Sequence, residues 1–150
     1  MKLWAEQALC AEGWARDVSL TINGTRIAEI ETNTRPQPGT LRLGTLLPAP
    51  ANLHSHAFQR AMSGMTERRG PSASDSFWTW RQLMFRFLDQ LTPDDVRAIT
   101  AFVQMEMLEA GFGASVEFHY LHHAPGGTPY ADPAEMAQQI TAAAALSGIG

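Results

Sequence analysis

From Val18 onward apolar and polar residues alternate: Val18, Leu20 and Ile22 are separated by Ser19 and Thr21, and the run breaks at Asn23-Gly24. A period of two predicts a half-buried strand. Asn-Gly between alternating segments predicts a hairpin, because both residues tolerate the positive φ of a type I′ turn. The returning strand is then Thr25–Ile30. Residues 32–39, with two prolines and a glycine, read as turn and loop, and residues 40–50 as a further strand closed by Pro48 and Pro50. Three or so strands make a small sheet that is hardly stable alone, so its partners are expected elsewhere.

Beyond residue 50 the period changes. Thr92 at an N-cap, Pro93 at the first helical position, Asp94 and Asp95 in the first turn and Gly111 as terminator predict a helix. Its apolar stripe is Val96, Ile99, Val103, Met107 and Ala110, and Met105 and Met107 read as helix-face filler rather than a metal or cofactor box. Residues 113–121 are β-branched and aromatic enough for a strand. A loop over 122–131 follows, and then a helix capped by Asp132, with Pro133 first, Glu135 third, and Gly148 closing it. The order from Leu46 is thus strand, long loop, helix, strand, loop, helix. Strands joined through helices predict a parallel sheet. Another strand is expected at Ile149-Gly150, so the pattern predicts the front of a larger α/β fold.

Composition narrows the class. With 150 residues, 45% hydrophobic and 17% charged, the chain reads as a soluble globular protein. A net charge of −4 gives no expectation of a nucleic-acid-binding surface. Cys10 is the only cysteine, which excludes an intrachain disulfide and suits a reducing compartment. Glu6, Gln7 and Glu12 interrupt the N-terminal apolar run, so it does not read as a signal peptide. No apolar stretch approaches the ~18 residues of a membrane span. A cytoplasmic location with no membrane partner is expected.

Candidate chemistry concentrates in "PANLHSHAFQR", residues 50–60. In an extended segment residues i and i+2 share a face, so His54 and His56 can converge on one metal ion. At the C-terminal end of a parallel strand they would stand where α/β proteins build their sites. Taken bare, an H-x-H pair fits surface histidines as well as a metal.

Together, "LPAPANLHSHAFQRAMSGMTERRG", "DSFWTWRQLMFRF" and "EFHYLHHAPGGTPYADPAE" resemble the amidohydrolase superfamily. More narrowly, they are similar to the formimidoylglutamate deiminase family. The resemblance implies a (β/α)8 barrel of the TIM type with a small β-sandwich built from both chain termini. Residues 1–47 would then be part of the sandwich, and residues 48–150 the first two βα units of a metallo-hydrolase barrel, incomplete as given. It implies one zinc ion, with His54 and His56 as ligands, Gln59 touching the substrate, and Arg81 and Tyr120 holding its carboxylate end. The implied reaction is hydrolysis of the C=N bond of N-formimino-L-glutamate to N-formyl-L-glutamate and ammonia.

Charge agrees with an anionic small-molecule substrate. Residues 57–86 hold Arg60, Arg68, Arg69, Arg81 and Arg86 against Glu67 and Asp75, and arginine grips carboxylates bidentately. Solvated loop arginines are the preferred reading for all but Arg81. Trp78 and Trp80 fit a pocket wall or a loop anchor equally. Glu117 and His119 share a strand face, as an acid–base pair or, preferred, as interior packing; His122 and His123 open a loop. Further ligands and acid–base groups of such barrels come from later strands, so the 150 residues alone are expected to be inactive. Exposed apolar faces leave homo-oligomerisation open. Two other readings stand beside this one: a guanine- or adenosine-type deaminase, and a non-catalytic remnant or interaction module.

Overall fold

The alternation at the start of the chain becomes a sheet. In a computed structural model, residues 1–67 and 75–150 are described, so Arg68 and Arg69 of the basic stretch lie outside the described residues. Met1–Pro48 and Ala49–Gly150 form two compact units.

The first unit is a four-stranded sheet of β1 (Lys2–Cys10), β2 (Gly13–Asn23), β3 (Arg26–Glu31) and β4 (Leu41–Leu46), in the order β3-β2-β1-β4. The expected hairpin is present as β2-β3, antiparallel, with Asn23 paired to Arg26. Its turn differs from expectation by one residue. Asn23 ends β2, and the two linking residues are Gly24 and Thr25, of which only Gly24 has positive φ, at 60°. This is the glycine-first hairpin loop rather than the Asn-Gly type I′ turn. β2 also pairs along most of its length with β1. β1 carries little alternation: Ala5 and Ala8, three residues apart, are its buried positions, and Glu6-Gln7 between them hides the strand. β4 joins β1 in parallel. Ala8, Val18 and Leu20 form the core, with Leu3, Cys10, Ala15 and Leu46 packed on it. Trp14, Ile27 and Leu41 stay exposed.

In the second unit β5 (Ala51–Ser55) and β6 (Ala114–Glu117) form the expected parallel pair. Between them come a 3-10 turn (Ala57–Met62), α1 (Phe77–Leu88) and α2 (Pro93–Glu109), and β6 is followed by α3 (Glu135–Ser147). The long loop expected before α2 is therefore partly helix. Aromatic residues cost a helix up to roughly 0.7 kcal/mol each. Full burial of Met84 and Leu88, with Trp80, Leu83 and Phe87 against the same core, returns about 1.5–3 kcal/mol for each large side chain. The i, i+4, i+8 spacing of Trp80, Met84 and Leu88 is the helical signal.

α2 begins as expected. The Asp95 N–H donates to Thr92 Oγ1 at 3.3 Å, and the Thr92 N–H donates to Asp95 Oδ2 at 3.0 Å. Its most buried line is Val96, Thr100 and Gln104 rather than the expected apolar stripe. Two polar residues are tolerated there in part because Ser147 Oγ of α3 donates to Gln104 Oε1 at 3.0 Å. The strand expected over 113–121 stops at Glu117. Asp132 does not cap α3, which starts at Glu135; its Oδ1 instead accepts the Ala134 N–H, at 2.8 Å, in the preceding turn. Gly148, with φ 84°, terminates the helix as expected. Beyond it the Gly150 N–H donates to Gly113 O at 2.9 Å and Gly150 O accepts the Ser115 N–H at 3.0 Å. That is the bonding of a parallel neighbour on the free edge of β6.

Candidate metal centre

Two elements build the site: the end of β5, which carries the histidines, and the segment after β6, which holds them. Pairing along β5 and β6 runs Asn52 to Ser115 and then Ser55 to Glu117, so β5 has one extra residue between those points. Such a bulge bends the strand and re-aims side chains. It also interrupts the ladder near His54, whose N–H donates to Asn52 Oδ1 at 3.1 Å instead.

His54 Nε2 and His56 Nε2 come within 2.9 Å of each other, with ring centroids 4.7 Å apart and ring planes at 82°. On the other side of its ring, His56 Nδ1 lies 2.8 Å from the Phe118 carbonyl oxygen. A carbonyl only accepts, so Nδ1 carries a hydrogen, and in the neutral ring Nε2 then presents a bare lone pair toward His54. Two nitrogens at ~2.0–2.1 Å from one ion stand roughly 2.9–3.4 Å apart for angles between about 90° and tetrahedral. The pair thus fits two corners of a metal site, with the oriented tautomer that metal-ligating histidines show. Among the described residues no third His, Cys, Asp or Glu completes a cluster.

Tyr120 reaches the same place. Its ring stands 4.9 Å from that of His56, 4.7 Å from Phe118 and 5.9 Å from Phe58. The backbone is strained to put it there: Tyr120 has φ 63°, and the Leu121 N–H donates back to His119 O at 2.8 Å. An i to i+2 bond around a positive-φ residue is the rarer γ-turn, and a bulky side chain in this region costs about 1–3 kcal/mol. No sequence pattern announces such a turn.

The remaining candidates separate. Gln59 is half-buried in the 3-10 turn, with its N–H donated to His56 O at 2.9 Å. Arg81 sits on an exposed face of α1, its guanidinium over the rings of Phe85 (4.6 Å) and Trp78 (6.0 Å). These contacts connect it to its own helix rather than to the histidines. Phe85 in turn lines a shallow groove of about 210 Å³ with Tyr120, His122 and His123. Trp78 is exposed, whereas Trp80 packs against the core. Arg60 is no free loop cation, for it pairs bidentately with Glu106 at 2.8 and 2.9 Å. That pair lowers the Glu106 carboxyl below its ordinary range, chiefly through the hydrogen bond. Glu117 and His119 have different partners: Glu117 Oε1 accepts the Ala57 N–H at 2.7 Å, and the His119 ring lies 5.0 Å from that of His122. Burial first, then the neighbouring His122, lowers the His119 pKa. The residues missed from sequence are Asn52 and the Phe118 carbonyl. The first had only its position two residues before His54 to mark it, and the second is backbone.

Residues 2–43 match the family described as the formimidoylglutamate deiminase HutF N-terminal domain. A formimidoylglutamate deiminase of Pseudomonas aeruginosa is 46% identical over 149 residues, 99% of this chain and 33% of that protein. Over its whole length, this chain resembles a formimidoylglutamate deiminase. An amidohydrolase crystal structure from Brucella melitensis superposes with a TM-score of 0.92 at 48% identity, covering 99% of this chain and 33% of that one. The zinc complex of the atrazine chlorohydrolase TrzN from Arthrobacter aurescens superposes at 0.68 with 17% identity, covering 98% of this chain and 34% of that one. At that identity the likeness is one of fold. The chain is mixed α/β and spans about a third of the length of these relatives. Among the described residues no helix is long and apolar enough to cross a membrane.

Proposed function

We propose that this chain forms the metal-binding edge and part of the substrate pocket of a formimidoylglutamate deiminase, hydrolysing N-formimino-L-glutamate to N-formyl-L-glutamate and ammonia. The observation that carries the reading is the 2.9 Å approach of His54 Nε2 and His56 Nε2, in a chain similar to that enzyme throughout. In this reading β5, β6 and their helices are the first βα units of a (β/α)8 barrel, and the sheet within residues 1–47 belongs to a small β-sandwich. The parallel bonding of Gly150 to the edge of β6 and the exposed apolar residues of the first sheet support both assignments. A cytoplasmic location accords with the single cysteine.

His54 and His56 would hold one divalent ion, taken to be zinc because the TrzN structure contains it. When bound, such an ion supplies a Lewis acid that makes water a nucleophile near neutral pH. The chain's own residues do the rest of what is described. The Phe118 carbonyl fixes the His56 tautomer. Tyr120 stands against His56, its hydroxyl placed to donate to a substrate oxygen, and Gln59 occupies the turn that follows His56. Arg81 is proposed for the distal carboxylate of the substrate, which requires its side chain to leave Phe85 when the anion arrives. Two imidazoles are fewer than the three protein ligands of a catalytic zinc site, so the 150-residue polypeptide alone is expected to work at background rate.

The test is a chimera joining Met1–Gly150 to the remaining two-thirds of the Pseudomonas aeruginosa relative. It should release ammonia and N-formylglutamate from formiminoglutamate, and lose this on His54→Ala or His56→Ala together with zinc. Arg81→Met should raise KM while zinc stays bound. A folded, zinc-loaded chimera without turnover overturns the reading, as does full activity in His54→Ala.

A further inference from the structure

The peptide between His56 and Ala57 is held at both ends, and neither end is held by a neighbour in the strand. His56 O accepts the Gln59 N–H at 2.9 Å, and the Ala57 N–H donates to Glu117 Oε1 at 2.7 Å. The plane of this peptide is set by ψ of His56, which is 76° with φ −132°. That value falls short of the β range, which begins near +100°, and lies well away from the helical one. A residue parked between basins keeps its angle only if its surroundings enforce it.

β6 and its continuation do so through two consecutive residues, Glu117 and Phe118, which between them hold Ser55, His56 and Ala57. Ser55 O accepts the Phe118 N–H at 2.9 Å, the His56 ring bonds Phe118 O at 2.8 Å, and the Ala57 N–H bonds Glu117 at 2.7 Å. Ser55 and Ala57, on either side of His56, are buried at 7% and 3% exposure. The histidine between them is thus pinned fore and aft, and its ring is pinned at the side.

We propose that Glu117 is a positioning residue for His56: by gripping the Ala57 N–H it fixes ψ of His56, and so keeps the imidazole on the Phe118 carbonyl in the one tautomer that turns bare Nε2 toward His54. The bond of the carboxylate is to a backbone N–H, so its action on His56 is through the backbone. The proposal rests on the metal-site reading for its purpose, though the tautomer can be read without any metal.

Two measurements separate these. The first is long-range proton–nitrogen correlation of the imidazoles in the metal-free 150-residue chain, in mildly alkaline buffer. His56 should be the Nδ1–H tautomer in the wild type. Glu117→Gln, whose amide oxygen can still accept, should preserve it, and Glu117→Ala should give exchange-averaged tautomers with β5–β6 amide protection retained. The second is Zn2+ affinity by chelator competition, expected unchanged within about twofold in Glu117→Gln and lowered at least tenfold in Glu117→Ala, the usual effect of losing such outer support. If Glu117→Ala does not fold, Glu117→Asp decides, since one methylene fewer withdraws the acceptor and should produce the same averaging. An Nε2–H or averaged His56 in the wild type overturns the proposal, as does an unaltered tautomer in the folded Ala or Asp variant. A correct tautomer pattern in a chain that binds no Zn2+ overturns the metal reading and leaves the positioning role standing.

Discussion

Gly113→Ala should loosen the strand pair that carries the candidate metal site, and by an amount the structure lets one work out. A Cβ added at Gly113 would lie 2.8 Å from Ala49 Cβ, against the ~3.5–4.0 Å at which carbon atoms pack. Both atoms sit on short, rigid side chains, so relief must come from backbone displacement. That backbone is tied: the Gly113 N–H donates to Pro50 O at 3.0 Å, and Gly113 O accepts from Gly150 at 2.9 Å. Overpacking of this kind costs about 1–3 kcal/mol. Gly113 is not among the positive-φ glycines, so alanine also gains about 0.4–1 kcal/mol by restricting the unfolded chain. The clash is the larger effect, and the net loss is about 1–2 kcal/mol. The assay is native-state hydrogen exchange of the Ser115 and Phe118 amides, which should speed up roughly 5–30-fold. Ala49→Gly added to Gly113→Ala removes the opposing methyl and should restore most of the protection. Slower exchange in Gly113→Ala, or no rescue by Ala49→Gly, would refute the argument.

Three further outcomes are expected. Zn2+ at ten times its Kd should stabilise the chain by about 1.4 kcal/mol, read as a rise in thermal midpoint that disappears in His54→Ala; a shift that persists would place the metal elsewhere. Thr92→Ala removes the acceptor for the Asp95 N–H and should cost about 0.5–2 kcal/mol, seen as faster exchange confined to the first turns of α2. His119 has a folded-state pKa below its unfolded value, near 6.5, because of burial and then His122. The unfolded chain therefore binds the extra proton first, and stability is lost as pH falls below about 6.5 toward the folded-state value; denaturant midpoints across that window should show the loss, and His119→Gln should reduce it.

What the sequence determined by itself is local, periodic or chemical in kind. The β2-β3 hairpin follows from Val18, Leu20 and Ile22, because alternation selects a face without help from distant residues. α2 begins at Pro93 because Thr92 and Asp95 satisfy each other across one turn, and α3 stops at Gly148 because only glycine takes φ 84° at no steric cost. His54 and His56 were legible as a pair because two residues apart on an extended chain means one face.

Other features existed only once distant segments met. β1 was hidden because Glu6 and Gln7 interrupt its pattern, and it became a strand only by pairing with both β2 and β4. The aromatic segment after residue 76 resolved into a helix through Met84 and Leu88, whose burial depends on Phe58, Met62 and Met136 elsewhere in the chain. Arg60 was assigned to solvent until Glu106, 46 residues away, faced it. The site itself divides along the same line. Residue types at 54 and 56 suggest a metal without deciding for one, and the direction of the His56 ring comes from a carbonyl 62 residues away, a carboxylate at 117 and a strained Tyr120. A hydrogen bond across two strands depends on register, and here the register is shifted by a bulge that no alternation of residue types encodes.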